Sequence, residues 1–187
     1  MRTAAANGHF HAVRFYEDDR SLCRIVSGFV MEGLALEQPA LVIATQPHID
    51  AIMTNLTDAA VDVQRLRNDG ELLLLDARQT LATFMVTGQP DPDFFKASAT
   101  RALDQLARGR AKTIRAYGEM VDVLWKDGMT AAAIKLEMLW NRLANTHDFS
   151  LLCGYAMGQF YKDASVDDVC RHHTHLVSDS GEAARLS

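Results

Sequence analysis

Apolar and polar positions alternate along the chain in two rhythms. Short runs dense in apolar residues recur between longer segments whose apolar positions return every three or four residues. The run His11-Ala12-Val13-Arg14-Phe15-Tyr16 reads as a first strand, and Asp18 or Asp19 is placed to cap the helix behind it. In that helix Leu22, Ile25, Val26, Phe29, Val30 and Leu34 share one face. Pro39 to Ala44 is continuously apolar, as a strand covered on both sides requires. Pro47 opens a second helix with Ile49, Ile52, Met53 and Leu56 inward. Val61-Asp62-Val63 reads as a short extended piece and Leu72 to Leu75 as the next strand. Thr87-Gly88-Gln89-Pro90 is a loop, and Asp91-Pro92 starts a helix that buries Phe95, Ala99, Ala102, Leu103 and Leu106 and ends at Gly109. A fourth strand is expected from Thr113 to Tyr117. A long helix follows near Thr130 to Asn145, striped by Ala132, Leu136, Leu139, Trp140 and Leu143. Phe149 to Tyr155 is the fifth strand, and a short last helix carries Val166, Val169, Cys170 and His173.

Strands separated by helices predict right-handed β-α-β crossovers. The fold class is therefore α/β: a three-layer α/β/α domain around a mostly parallel central sheet. Residues 1–178 are expected to form one domain, and the polar stretch 179–187 a frayed tail.

Composition narrows the function classes. With 187 residues the chain buries about 70% of its unfolded surface on folding, enough to stand without a metal or disulfide. Hydrophobic residues make up 48% and charged residues 23%, a balance that excludes a disordered or low-complexity chain. The net charge is −5 and no Lys/Arg-rich stretch exists, which argues against direct binding of nucleic acid or an anionic membrane. Cys23, Cys153 and Cys170 form no CxxC pair and no disulfide framework, so a reducing cytoplasm is the expected setting. No apolar stretch approaches the ~20 residues that cross a bilayer. The first residues lack a secretory core as well.

Open α/β sheets bind ligands beyond the carboxyl ends of their strands. Those ends carry Tyr16-Glu17-Asp18, Thr45-Gln46-Pro47-His48, Asp76-Ala77-Arg78, Tyr117-Gly118-Glu119 and Tyr155. There is no nucleophile elbow and no GxxxxGK[ST], and the first turn is acidic where a phosphate cradle would need to attract an anion. A non-catalytic protein is expected. Arg115, inside a buried strand, needs a partner; Glu119 and Glu137 are the candidates for a structural ion pair, with direct ligand contact as the alternative. Cys170, His172, His173 and His175 suggest metal ligands at first sight. However, Cys170 and His173 fall on the apolar side of a helix with Val166 and Val169, so packed core residues are expected and no metal is assigned. Trp125, Trp140, Met120, Met129 and Met138 read as core, with an apolar pocket as the alternative.

Seven short motifs in order resemble the methanogen/methylotroph sensory (MEDS) domain family. They are His11-x-x-x-Phe15-Tyr16, Phe29-x-x-x-Gly33-Leu34, Thr87-Gly88-Gln89 before Asp91-Pro92-Asp93-Phe94, Ile114 to Met120, Leu136-Glu137-x-x-x-Asn141-x-Leu143, Leu151-Leu152-Cys153-x-Tyr155 and Cys170-x-x-His173. The resemblance runs from about His11 to Val177. It implies a RecA/KaiC-like fold without its phosphate-binding loop. It also implies a sensor of small hydrocarbon-derived molecules that signals to a histidine kinase or transcription regulator. The residues it marks as functional or site-shaping are His11, Tyr16, Arg115, Glu119, Glu137, Tyr155 and His173. Where relatives carry Gly-Glu before the second strand, this chain has Glu37-Gln38. The expected function is a sensory domain that binds a small organic ligand and uses no cofactor. The alternatives are a ligand-free signalling adaptor and a degenerate nucleotide-binding enzyme with Glu119 as base.

Overall fold

The computed structural model describes residues 9–108, 112–159 and 166–186. A seven-stranded sheet forms its middle layer, built from β1 (His11–Tyr16), β2 (Ala40–Ala44), β3 (Leu72–Asp76), β6 (Ile114–Gly118), β7 (Phe149–Ala156), β8 (His175–Val177) and β9 (Ala183–Arg185). Their order across the sheet is β3-β2-β6-β7-β1-β8-β9, and every neighbouring pair is parallel except β8 with β9. A separate hairpin pairs β4 (Met85–Val86) with β5 (Gln89–Pro90) across Thr87-Gly88.

Side-chain alternation divides the core in two. On one face β2 sends Leu41 and Ile43 against α5 (Pro92–Ala107), α6 (Met120–Lys126) and α7 (Thr130–Leu143). On the other it sends Ala40, Val42 and Ala44 against α1 (Asp19–Ala35) and α2 (Gln46–Asp58). All five β2 residues are buried, as their unbroken apolar run demands. Each fully buried Leu, Ile or Val contributes roughly 1.5–3 kcal/mol, which is why this central strand tolerates no polar side chain. Trp125, Trp140 and Met120 are core, while Met138 is exposed.

Aspartates set most helix starts. Asp18 accepts from the Arg20 and Ser21 amides at the head of α1, and Asp91 does the same for α5 through Asp93 and Phe94. Two further caps were not foreseen. Asp62 caps α3 (Val63–Asn68) where an extended piece was expected, and Asp76 caps α4 (Ala77–Ala82) directly off β3. α6 was missed altogether: its seven residues span too few turns to show a period between strand and helix.

Two expectations at the carboxyl-terminal end change. Helix α8 (Val166–Cys170) stops before His173, whose amide closes a turn onto the Cys170 carbonyl. The polar stretch read as a frayed tail instead turns back through Gly181 and adds β9 to the sheet edge. Arg14 anchors that turn by donating to the Val177 carbonyl and to the Asp179 carboxylate. The expected helix end at Gly109 lies outside the described residues.

Candidate functional site

Three polar arrangements surround the sheet, and the residues marked in the sequence divide among them. The first fills the carboxyl ends of β1, β2, β6 and β7. Tyr16, at the end of β1, donates to Asp122 Oδ2 at 2.7 Å, and Lys126 Nζ reaches that same oxygen at 2.7 Å and the Tyr16 hydroxyl at 2.9 Å. Asp122 Oδ1 accepts from the Ala156 amide. Next to it, Glu119 is 1% exposed: one oxygen accepts from the Thr45 amide, the other from His48 Nδ1 at 2.7 Å and the Tyr117 hydroxyl at 3.1 Å. The hydrogen bond to Glu119 raises the His48 pKa against the lowering effect of burial, with Asp19 adding to the rise. Burial pushes the Tyr16 hydroxyl up strongly, reinforced by the Asp122 charge. The crevice where such sheets usually take ligands is thus occupied by the protein's own hydrogen-bond network.

The open space lies at the opposite end. A cleft of about 1220 Å³ opens at the amino ends of β1, β6 and β7, between α1 and the β8–β9 hairpin. Phe10, Ile25, Phe29, Leu152 and Val177 give it apolar walls, and Arg115 is its buried cation. The expected pairing of Arg115 with Glu119 or Glu137 does not occur. Glu119 lies four residues further along the chain, about 13 Å away at strand rise, and Glu137 sits on the opposite face of the sheet. Instead Arg115 Nε donates to Gln38 Oε1 at 2.8 Å and the guanidinium lies 4.8 Å from the Phe29 ring centre. The carboxylate beside it is that of Glu32, 4.0 Å away and 70% exposed. Burial lowers the Arg115 pKa and Glu32 only partly offsets this. Gly33 makes room for the stem: a Cβ there would stand 2.3 Å from Arg115 Cγ.

The third arrangement is a closed cluster under α7. Strand alternation turns His11 of β1 and Cys153 and Tyr155 of β7 toward that helix, which supplies Glu137 and, one turn on, Asn141. His173 enters from the turn after α8. Glu137 Oε2 lies 3.1 Å from His11 Nε2, and Oε1 lies 3.3 Å from His173 Nε2 and accepts from the Tyr155 hydroxyl at 2.8 Å. Cys153 Sγ is 3.4 Å from His11 Nε2 and 3.6 Å from Glu137 Oε2. His11, Glu137 and Tyr155 are wholly buried, and Cys153 is almost so. Burial raises the Glu137 carboxyl, yet His173 and His11 outweigh it and hold the group well below the usual range. Burial and the Glu137 charge push the Cys153 thiol well up.

The cluster unites His11, Glu137, Tyr155 and His173; Tyr16 and Glu119 belong to the carboxyl-end network, and Arg115 stands alone in the cleft. The packed Cys170–His173 pair did not form: Cys170 is half-buried, and His173 faces Glu137 instead. Cys153, Asn141, His48, Asp122 and Lys126 were missed as site residues. Glu137 gave a signal, since a carboxylate within the stripe Ala133-Leu136-Trp140 must find partners indoors. His48 was noted only as part of a strand end, because its partner Glu119 is distant in sequence, and Asp122 offered only the local pair with Lys126 on α6.

A mostly parallel seven-stranded sheet between helical layers defines a RecA-like α/β/α domain. The fold is shared with a KaiC-like protein from the hyperthermophilic archaeon Pyrococcus horikoshii OT3, which superimposes with a TM-score of 0.61 at 9% identity. The match covers 89% of this chain and 70% of that one. No curated protein matches the chain by sequence. The family model described as MEthanogen/methylotroph, DcmR Sensory domain matches residues 10–174, and the chain belongs to that family. Its role is accordingly sensory. No helix among the described residues is long and apolar enough to cross a membrane.

Proposed function

We propose that the chain is a non-catalytic sensory domain whose cleft binds a small, hydrocarbon-derived organic molecule, with Arg115 anchoring a polar acceptor on it. The carrying observation is Arg115 itself: a guanidinium 4% exposed, lining a cleft that mixes apolar walls with polar groups, with a neutral amide as its close side-chain partner. Buried guanidinium groups are ordinarily matched by carboxylates. A ligand with an apolar body and a carboxylate or carbonyl end complements both the walls and the charge. The β8–β9 hairpin forms one wall, so ligand occupancy bears directly on the sheet edge, where a partner such as a histidine kinase or transcription regulator would read it.

Two features support the non-catalytic part. Asp18 already occupies the first amides of α1 that a phosphate would need, and Glu119 engages three donors while almost fully buried. Neither a phosphate cradle nor a free base remains there.

The test is native mass spectrometry of the purified chain, followed by thermal shift against short-chain carboxylates, ketones, alcohols and halogenated alkanes. A co-purifying or stabilising small molecule, lost in Arg115→Met, is the expected result. A chain that no compound stabilises, yet that binds a signalling protein in the absence of any ligand, would establish the adaptor role instead. Magnesium-ATP turnover abolished by Glu119→Gln would establish the enzyme.

A further inference from the structure

We propose that His11, Glu137, Cys153 and His173 bind one divalent transition-metal ion of the zinc type. Of Cys170, His172, His173 and His175, for which the sequence suggests packing in place of metal binding, only His173 belongs to this cluster. The four donors come from four separate parts of the fold (β1, α7, β7 and the turn after α8), and their ligating atoms all lie within 4.8 Å of one another.

The hydrogen bonds outside the cluster fix the histidines for this purpose. His173 Nδ1 meets the Val169 carbonyl at 2.8 Å, and a carbonyl only accepts, so the proton sits on Nδ1. His11 Nδ1 lies 2.9 Å from Asn141 Oδ1, an oxygen whose identity follows because Asn141 Nδ2 donates to the His172 carbonyl. In their neutral form both imidazoles would then present Nε2 lone pairs to Glu137, the form a metal requires. Histidines that bind metals are oriented in this way, by a donated bond from the remote nitrogen. His173 Nε2 is buried and makes no hydrogen bond, although it lies 3.3 Å from Glu137 Oε1. Two lone pairs facing a carboxylate repel unless protons or a metal cation lie between them.

Charge and distance both suit a dication. A tetrahedral ion with bonds near 2.0–2.1 Å to nitrogen and oxygen and 2.3 Å to sulfur has edges of about 3.3 Å, and about 3.6 Å to sulfur. Around Glu137 Oε2 the contacts are 3.1 Å to His11 Nε2 and 3.6 Å to Cys153 Sγ, with 3.4 Å between that nitrogen and the sulfur. His173 Nε2 lies 3.3 Å from the other oxygen, Oε1. On binding, the Cys153 thiol loses its proton to solvent. Thiolate and carboxylate then neutralise the 2+ charge, so the buried site carries no net charge. Protons alone would leave two imidazolium ions against one carboxylate. The mixed nitrogen, sulfur and oxygen donor set favours zinc-like ions over magnesium or calcium. With four protein donors in a closed core, the ion would hold α7 to β1 and β7 and would not be a catalyst.

The experiment uses the full chain and cobalt(II) alone as the probe, added without oxygen. About one equivalent should bind, with the visible bands of tetrahedral cobalt and a near-ultraviolet thiolate charge-transfer band, and zinc(II) should displace it. Cys153→Ser should lose the charge-transfer band and Cys170→Ser should keep it. Asn141→Leu, which leaves all four ligands in place, should weaken binding about 10–100-fold. Circular dichroism checks that each variant is folded. A folded wild-type chain that shows no charge-transfer band with excess cobalt and no rise in melting temperature with zinc overturns the site and leaves a proton-bonded network. A band that survives Cys153→Ser and disappears in Cys170→Ser overturns it too. None of these variants touches Arg115, so this result is read separately from ligand binding.

Discussion

At the scale of single residues, Glu37 and Gln38 show how a small departure changes the electrostatics. The turn after α1 holds Glu37 at φ 57, a left-handed position that glycine fills without strain. The next side chain, Gln38, meets Arg115 as a neutral amide where the resemblance in the sequence leads one to expect a carboxylate. Gln38→Glu should convert that bond into a charge-assisted one and stabilise the fold by about 1–2 kcal/mol in urea titration. The same carboxylate should compete with an acidic ligand for the guanidinium and weaken its binding; an unchanged or lower urea midpoint would show that the Arg115 charge is already balanced. His48 gives a pH signature. Its pKa lies above the ordinary 6.5 through its bond to Glu119, with Asp19, Tyr16 and Tyr117 also around that pair. A raised histidine contributes stability that is complete below the unfolded value and is lost as pH rises through the folded one. Other groups titrate in the same range, so the readout is a difference. From about pH 6 to about pH 9 the wild type should lose more stability than His48→Gln, and parallel curves would remove the linkage.

The elements were legible wherever a local signal was complete. Asp18 and Asp91 announced their helices because an aspartate cap needs only its own next few residues. Ala40 to Ala44 announced a central strand because nothing polar interrupts it. Short elements failed for the same reason in reverse: α3, α4 and α6 span too few turns to show a period, and β8 and β9 have three residues each. The site was half legible. Glu137 on an apolar stripe required partners, but which partners depended on strand register that no local pattern encodes. Arg115 was read as buried and was misassigned an acid for the same reason. Asp18 also has consequences beyond its cap. Asp18→Ala should cost about 1 kcal/mol by chemical denaturation, and it should not create ATP binding, because the acidic Glu17 and Asp19 remain beside the freed amides. Wild-type stability in that variant would mean that solvent satisfies the α1 terminus equally well.

For the molecule as a whole, the sheet edge tests whether the last residues belong to the fold. Polar composition alone argued for a tail, since residues 179–187 hold a single large apolar side chain, Leu186. The structure ties them down through groups supplied from elsewhere. Ala184 pairs with Leu176, the Leu186 amide donates to the Thr174 carbonyl, and Arg14, 7% exposed, reaches back to Asp179. Asp179 is itself largely exposed, which limits what that ion pair contributes. Its loss still leaves a buried guanidinium short of an acceptor. A chain ending at Ser178 should therefore be less stable by roughly 1–3 kcal/mol. It should also present β8 as an unpaired edge, with Leu176 already exposed beside it, so self-association that grows with concentration is expected in size-exclusion chromatography. The same truncation removes Asp179, Ser180, Ala183 and Arg185 from the cleft wall, so ligand stabilisation should fall together with the urea midpoint. A truncated chain that matches the full one in midpoint, elution volume and ligand response would return these residues to the status of a frayed tail and would move the reading surface for the partner away from this edge.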